Sequence, residues 1–240
     1  MTTVHLQQFY AREGYKAHPS AHIELPPLSF DSLPLPQAKP LFEQDLEALC
    51  NRDEQLVRKK MEDHRGGVAV VLLPDHATMV WHHAREAFVA NELYGKAKAP
   101  PVVKGAISTI EKLKVDVWAI WSRVFYNPDI TQRKDNTLHI LRLVLPDHGG
   151  ADGQASDTEA EVRAIASVLR VAQKEADEWN MESVNIWNPD ERTIKAARLL
   201  SADAQIVHRE KDSIASLKWY GPVEDEASLT WVDIEKYTWC

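Results

Sequence analysis

Residues 229–239 alternate in type, and the alternation sorts them by chemistry. In an extended strand Trp231, Asp233, Glu235, Tyr237 and Trp239 share one face, and Val232, Ile234, Lys236 and Thr238 share the other. Carboxylates set between aromatic rings receive an ammonium, by charge pairing and by cation–π contact. Glu235, with Trp231 and Tyr237, is therefore a candidate site for a small-molecule amine. The same residues also fit an edge strand with a partly buried aromatic face and solvated acids, and the pattern leaves both readings open. Other clusters carry less chemistry. His82 and His83 with Glu86 suggest a metal pair, but there is no H-E-x-x-H spacing, and adjacent histidines diverge on a helix. A helix surface is expected there, and no metal site. His18 and His22 are separated by Pro19, and Pro-Asp-His at 74–76 and 146–148 reads as a turn after a strand. No serine or cysteine lies in an elbow or triad spacing.

The composition bounds what such a site could serve. The chain has 240 residues, 28 basic against 36 acidic, for a formal charge of −8. Hydrophobic residues make up 44%, with 8 Trp, 6 Tyr and 5 Phe, enough for a sizeable core and too many for a disordered chain. Net acidity, with no basic run longer than Arg58-Lys59-Lys60, argues against a nucleic-acid partner. The longest apolar stretch, residues 68–73, is far too short to span a bilayer, so no membrane partner is expected. With only two cysteines, Cys50 and Cys240, no disulfide framework is expected, and a reducing cytoplasm is the natural location.

The elements that must position the site follow from periodicity. Helices are predicted over residues 41–60, 77–94, from Thr158 through Trp179, and from about 189 to 200. The third has Val162, Ile165, Leu169, Ala172, Ala176 and Trp179 on one continuous apolar face. The fourth opens on Asn188-Pro189-Asp190-Glu191, with Asn188 as the expected cap and Pro189 as the first helical residue. Strands are predicted over 21–25, 68–73, 116–125, 137–145, 184–187, 205–209, 214–220 and 229–239. Five prolines between 26 and 40 make an extended, semi-rigid connector, so a boundary is placed near residue 35. Residues 147–157, with Gly149, Gly150 and Gly153, read as a surface loop within the second unit. The fold class is α/β, a mixed sheet flanked by helices.

Particular segments sharpen this. Phe9-Tyr10-Ala11-Arg12-Glu13-Gly14-Tyr15 resembles the F-Y-x-x-x-G-F/Y segment near the end of a GNAT acyltransferase domain. Trp81-His82-His83-Ala84-Arg85, Trp118-Ala119-Ile120-Trp121, Leu138-His139-Ile140-Leu141-Arg142-Leu143, Val184-Asn185-Ile186-Trp187-Asn188-Pro189 and the ending Glu235-Lys236-Tyr237-Thr238-Trp239-Cys240 resemble the C-terminal domain of the fungal lysine N6-acetyltransferase family. The resemblance implies an acyl-CoA-dependent N-acyltransferase, moving acetyl from acetyl-CoA to the side-chain amine of lysine or a similar small amine in the cytoplasm. It implies residues 1–35 as an incomplete GNAT remnant with its connector, and 36–240 as a GNAT-like C-terminal domain. By motif it also gives Tyr10 the part of general acid toward the leaving thiolate, the other reading being a core aromatic.

The family's pyrophosphate-binding pattern, Q/R-x-x-G-x-G/A, is not found in the sequence. The nearest candidate, His148-Gly149-Gly150-Ala151-Asp152-Gly153, lacks the leading Gln or Arg and is flanked by Asp147 and Asp157. Little affinity for CoA is therefore expected. The alternative function is a non-catalytic substrate-binding or interaction module of the same descent.

Overall fold

A computed structural model describes residues 9–28, 33–145, 158–209, 214–222 and 229–239. In chain order the strands are β1 (Lys16–Ala17), β2 (Ala21–Leu25), β3 (Lys39–Leu41), β4 (Ala69–Val70), β5 (Gly105–Ile110), β6 (Val115–Val124), β7 (Thr137–Val144), β8 (Ser183–Trp187), β9 (Ile206–His208), β10 (Ser216–Leu217) and β11 (Thr230–Trp231). The helices are α1 (Glu43–Glu62), α2 (His76–Tyr94), α3 (Thr158–Glu178) and α4 (Glu191–Leu200). Seven strands form one sheet in the order β3-β5-β6-β7-β8-β2-β9. Neighbours are antiparallel except β7 and β8, which run parallel through the crossover helix α3.

Strand alternation divides the core into two layers. Val117, Ala119, Leu138 and Ile140 pack with the α3 face predicted from its period, where Ile165, Leu169, Ala172 and Ala176 are fully buried. Trp118, Ile120, Leu141 and Val144 pack instead with Leu46 and Cys50 of α1 and Met79 of α2. Each large apolar side chain so buried contributes about 1.5–3 kcal/mol. Gly105 fits the sheet because it has no side chain, as a Cβ there would lie 2.3 Å from the Ala119 carbonyl oxygen.

Several expectations change. The sheet takes in a strand from before the predicted boundary near residue 35. β2 lies inside the sheet between β8 and β9, with Ile23 and Leu25 in the core, so the sheet includes the residues just before the prolines at 26 and 27. The connector packs against α3, whose Gln173 side chain donates to the Pro26 carbonyl at 2.7 Å and whose Arg170 donates to the Leu33 carbonyl at 2.5 Å. Asn188 is not the cap of α4. Asp190 is, its carboxylate accepting from Thr193 N–H at 2.8 Å. Only Ala69–Val70 of the strand expected at 68–73 is extended and paired, in parallel with β11. The last strand stops at Trp231, because Asp233 takes a left-handed φ of 52° and the chain winds into a 3₁₀ turn at Lys236–Thr238. The two-residue alternation expected through Trp239 is therefore not kept.

Candidate functional site

The parallel pair parts where its strands end. Pairing runs from Thr137 opposite Ser183 to Ile140 opposite Ile186. Beyond that β7 stays with β6, and β8 stays with β2. One residue of β7, Leu141, is bulged, since Ile120 faces Arg142 and Trp121 faces Ile140. A bulge re-aims the side chain beside it. Here that side chain is Arg142, which points into a crevice of about 570 Å³ between the two carboxyl ends, where ligands of open α/β sheets bind.

The crevice is built around Arg142. Its Nε and Nη2 donate to the two oxygens of Asp53 on α1, at 2.8 and 2.9 Å. Its Nη1 donates to Glu235 Oε1 at 2.5 Å and lies 3.7 Å from Asp233. The second Glu235 oxygen accepts from Leu143 N–H at 3.0 Å, and Lys60 reaches Asp233 at 2.7 Å. Burial opposes the Arg142 charge, but Glu235 and the bonds to Asp53 outweigh it and hold the guanidinium ionised. Burial also pushes the Glu235 carboxyl up to about 7, against the pull of Arg142 and Leu143 N–H and with the help of Asp233 and Asp53. Burial sets that direction, and the two neighbouring carboxylates add to it.

The structure brings two of the predicted amine-binding residues to this place. The Tyr237 ring lies 5.9 Å from the Arg142 guanidinium carbon, and its hydroxyl donates to the Leu72 carbonyl at 2.6 Å. The carboxylate and ring do meet a cation, and it is the protein's own arginine. Trp231 stands apart, edge-on to His18 with centroids 5.5 Å apart. Tyr10 is exposed and packs edge-on to Phe9 and Tyr15, and it does not line the crevice. The glycine-rich candidate at 148–153 lies outside the described residues.

His82 and His83 are buried rather than on a helix surface. Nε2 of His82 donates to the Tyr237 carbonyl at 3.1 Å and Nε2 of His83 to the Trp121 carbonyl at 3.0 Å, which fixes both tautomers. Burial lowers both, His83 to about 4, so they are neutral links between α2 and the strands. Glu86 is buried against Lys104 and Arg123. Among the described residues no three His, Cys, Asp or Glu side chains gather as a metal site, and no helix is long and apolar enough to cross a membrane.

Arg142, Asp53 and Asn188 were missed as site residues. The first two had a signal: a charged residue within the apolar run of β7, and a carboxylate on the inward stripe Leu46, Cys50, Asp53, Val57 of α1. For Asn188 the sequence pattern points to a cap. With φ at 44°, it instead ties Ala21 N–H to its side-chain oxygen at 2.9 Å and donates from its amide nitrogen to the Ile234 carbonyl.

A mixed sheet with helices on both faces, parting at its one parallel pair, defines an α/β domain of the GNAT-like acyltransferase class. Residues 22–240 match the family model described as the LYC1 GNAT-like C-terminal domain, and the chain belongs to that family. No curated protein matches the chain.

Proposed function

We propose that this chain provides the amine-substrate side of an acyl-CoA-dependent N-acyltransferase. It transfers acetyl from acetyl-CoA to the side-chain amine of lysine or a similar small amine in the cytoplasm. Family membership supports the acyl-transfer class, and one observation supports the amine. Asp53, Asp233 and Glu235 gather at the crevice against Arg142 and Lys60, an excess of one negative charge where an ammonium would enter. An amine attacks a thioester carbonyl only after losing a proton. Glu235, at about 7, is matched to take that proton near neutral pH. Of the aromatic residues, Tyr237 backs Arg142 from the buried side and Trp231 stands away beside His18, so the carboxylates are the partners of the amine in this reading.

The crevice does not fit the acyl donor as it stands. Leu143 N–H is taken by Glu235, and on the walls that a diphosphate would approach Lys60 and Arg192 are paired with Asp233 and Asp190. Tyr10 serves as general acid only where the 9–15 turn comes to the crevice. The same filling of the crevice favours a second reading, a non-catalytic substrate-binding or interaction module.

Incubation with acetyl-CoA and lysine, followed by mass spectrometry of the amino acid and by thiol release, separates the two. Acetyl-lysine with matching thiol supports the enzyme. Lysine binding without turnover supports the module, and neither binding nor turnover sinks both.

A further inference from the structure

Glu235 sits in a receptor whose parts do not depend on it. Beyond Ile140, β7 has no parallel partner, and Leu143 N–H points to the vacated side. In place of a strand carbonyl it meets Glu235 Oε2, while the other oxygen of the same carboxylate is taken by Arg142 Nη1. A guanidinium and a main-chain N–H from adjacent residues thus hold one carboxylate by both oxygens, the arrangement that recognises carboxylates in general. Arg142 is 6% exposed, and Asp53 fixes its Nε and Nη2 edge independently, which leaves Nη1 presented to a second acid. The backbone that carries Glu235 is anchored on both sides, by Lys60 to Asp233, Asn188 to the Ile234 carbonyl, His82 to the Tyr237 carbonyl and the buried Tyr237 hydroxyl to Leu72, so the Glu235 side chain is the part that can swing away.

We propose that Arg142 and the Leu143 amide form a binding site for the carboxylate of a small amino-acid-like ligand, and that Glu235 is its built-in occupant. The ligand inserts into the Arg142–Glu235 pair. Its carboxylate takes over Nη1 and the Leu143 amide, and its ammonium takes the released Glu235, so a zwitterion enters with no net change of charge. The crevice, at about 570 Å³, has the size of a small-molecule site. The proposal deepens the amine-binding reading above and rests on it for the ammonium half, while the carboxylate half stands alone.

Chemical rescue tests it. Glu235→Ala removes the internal carboxylate and leaves both donors. Sodium acetate is expected to raise the melting temperature of this variant and to slow amide exchange in the peptide containing Leu143 by about tenfold at saturation. Sodium chloride at equal ionic strength is expected to do neither, and the wild type, with its site filled, is expected not to respond to acetate. If Glu235→Ala does not fold, Glu235→Ser serves, since it likewise removes the carboxylate and leaves Nη1 and the Leu143 amide open to acetate. Equal effects of acetate and chloride, or none, overturn the proposal. Acetate rescue without acetylation of lysine leaves the carboxylate site standing and removes the acyl-transfer reading.

Discussion

Glu86 on α2 accepts twice from Arg123, from its main-chain N–H at 2.7 Å and from its guanidinium at 2.9 Å. One carboxylate thus fixes both the backbone and the side chain at the end of β6. Lys104 adds a bond at 2.7 Å, Glu175 of α3 closes on the far side of Arg123, and neither Glu86 nor the Arg123 side chain is exposed. Burial alone would raise the Glu86 pKa, but Arg123 and Lys104 outweigh it and hold the carboxyl below its usual value. Glu86→Ala leaves two buried cations short of a partner and is expected to cost about 3–5 kcal/mol, read from urea unfolding. A loss under 1 kcal/mol would show that the network is not held as described.

The fork between Arg142 and Asp53 makes lysine a poor substitute. Arg142→Lys keeps the charge, but one ammonium cannot serve both Asp53 oxygens and Glu235 at once. A loss of about 1.5–3 kcal/mol is expected. In a double-mutant cycle with Asp53→Asn the pair should couple by about 0.5–3 kcal/mol, and additive losses would contradict the geometry.

Glu235 and His83 give opposing pH dependences. Glu235 is raised to about 7, so its contribution is fully present below the ordinary carboxyl value of 4.5 and is lost as pH rises through 7. His83 is lowered to about 4, so its contribution is present above 6.5 and is lost as pH falls through 4. The groups facing Glu235 are Arg142 on β7, Asp53 on α1 and Asp233 on its own segment, with Lys60 held to Asp233. On acidification from pH 7 to 4.5 the contribution of Glu235 offsets part of the histidine loss. Glu235→Gln is therefore expected to lose stability more steeply than the wild type over that interval, measured by urea titration at several pH values. Parallel curves would sink the assignment.

Gly105→Ala places a methyl group against the Ala119 carbonyl at 2.3 Å, where two strand backbones meet. The β5–β6 pair has to part, at an expected cost of about 1–3 kcal/mol in thermal unfolding. An unchanged melting temperature would mean that the strands are not so close.

CoA titrated calorimetrically into the wild type is expected to show no low-micromolar binding, because Glu235 holds the amide at the parted strands and Lys60 and Arg192 on the walls are paired with acids. Tight binding would show that this crevice opens freely.

The long helices and central strands were legible because their apolar periods are clean. Ile165, Leu169, Ala172 and Ala176 could face only one way, and the runs around Trp118 and Leu138 had no competing pattern. β5 was not legible: Gly105-Ala106-Ile107-Ser108 has small residues where bulky ones signal a strand, and the reason is the closeness of β6. The site was half legible. Glu235 and Tyr237 stand out by type, and Glu235 reaches the crevice, with Tyr237 buried beside Arg142, by a turn at Asp233 that strand periodicity cannot express. Arg142 and Asp53 become a pair only when α1 lies on β7, a contact set by tertiary packing. The place of β2 in the sheet has no local signal at all.

That place has a kinetic meaning. Ala21 N–H bonds to the Asn188 side chain across 167 positions of sequence, and β2 is held on both sides by strands made late, β8 and β9. A nascent chain must carry Ile23 and Leu25 unpaired until residues 183–208 have left the ribosome. Most of the sheet, β3 to β8, can assemble from nearer neighbours before then. Closure of the β8-β2-β9 edge is a step of high contact order, so it comes late and slowly, and the waiting strand is the stretch most open to chaperones or to mispairing.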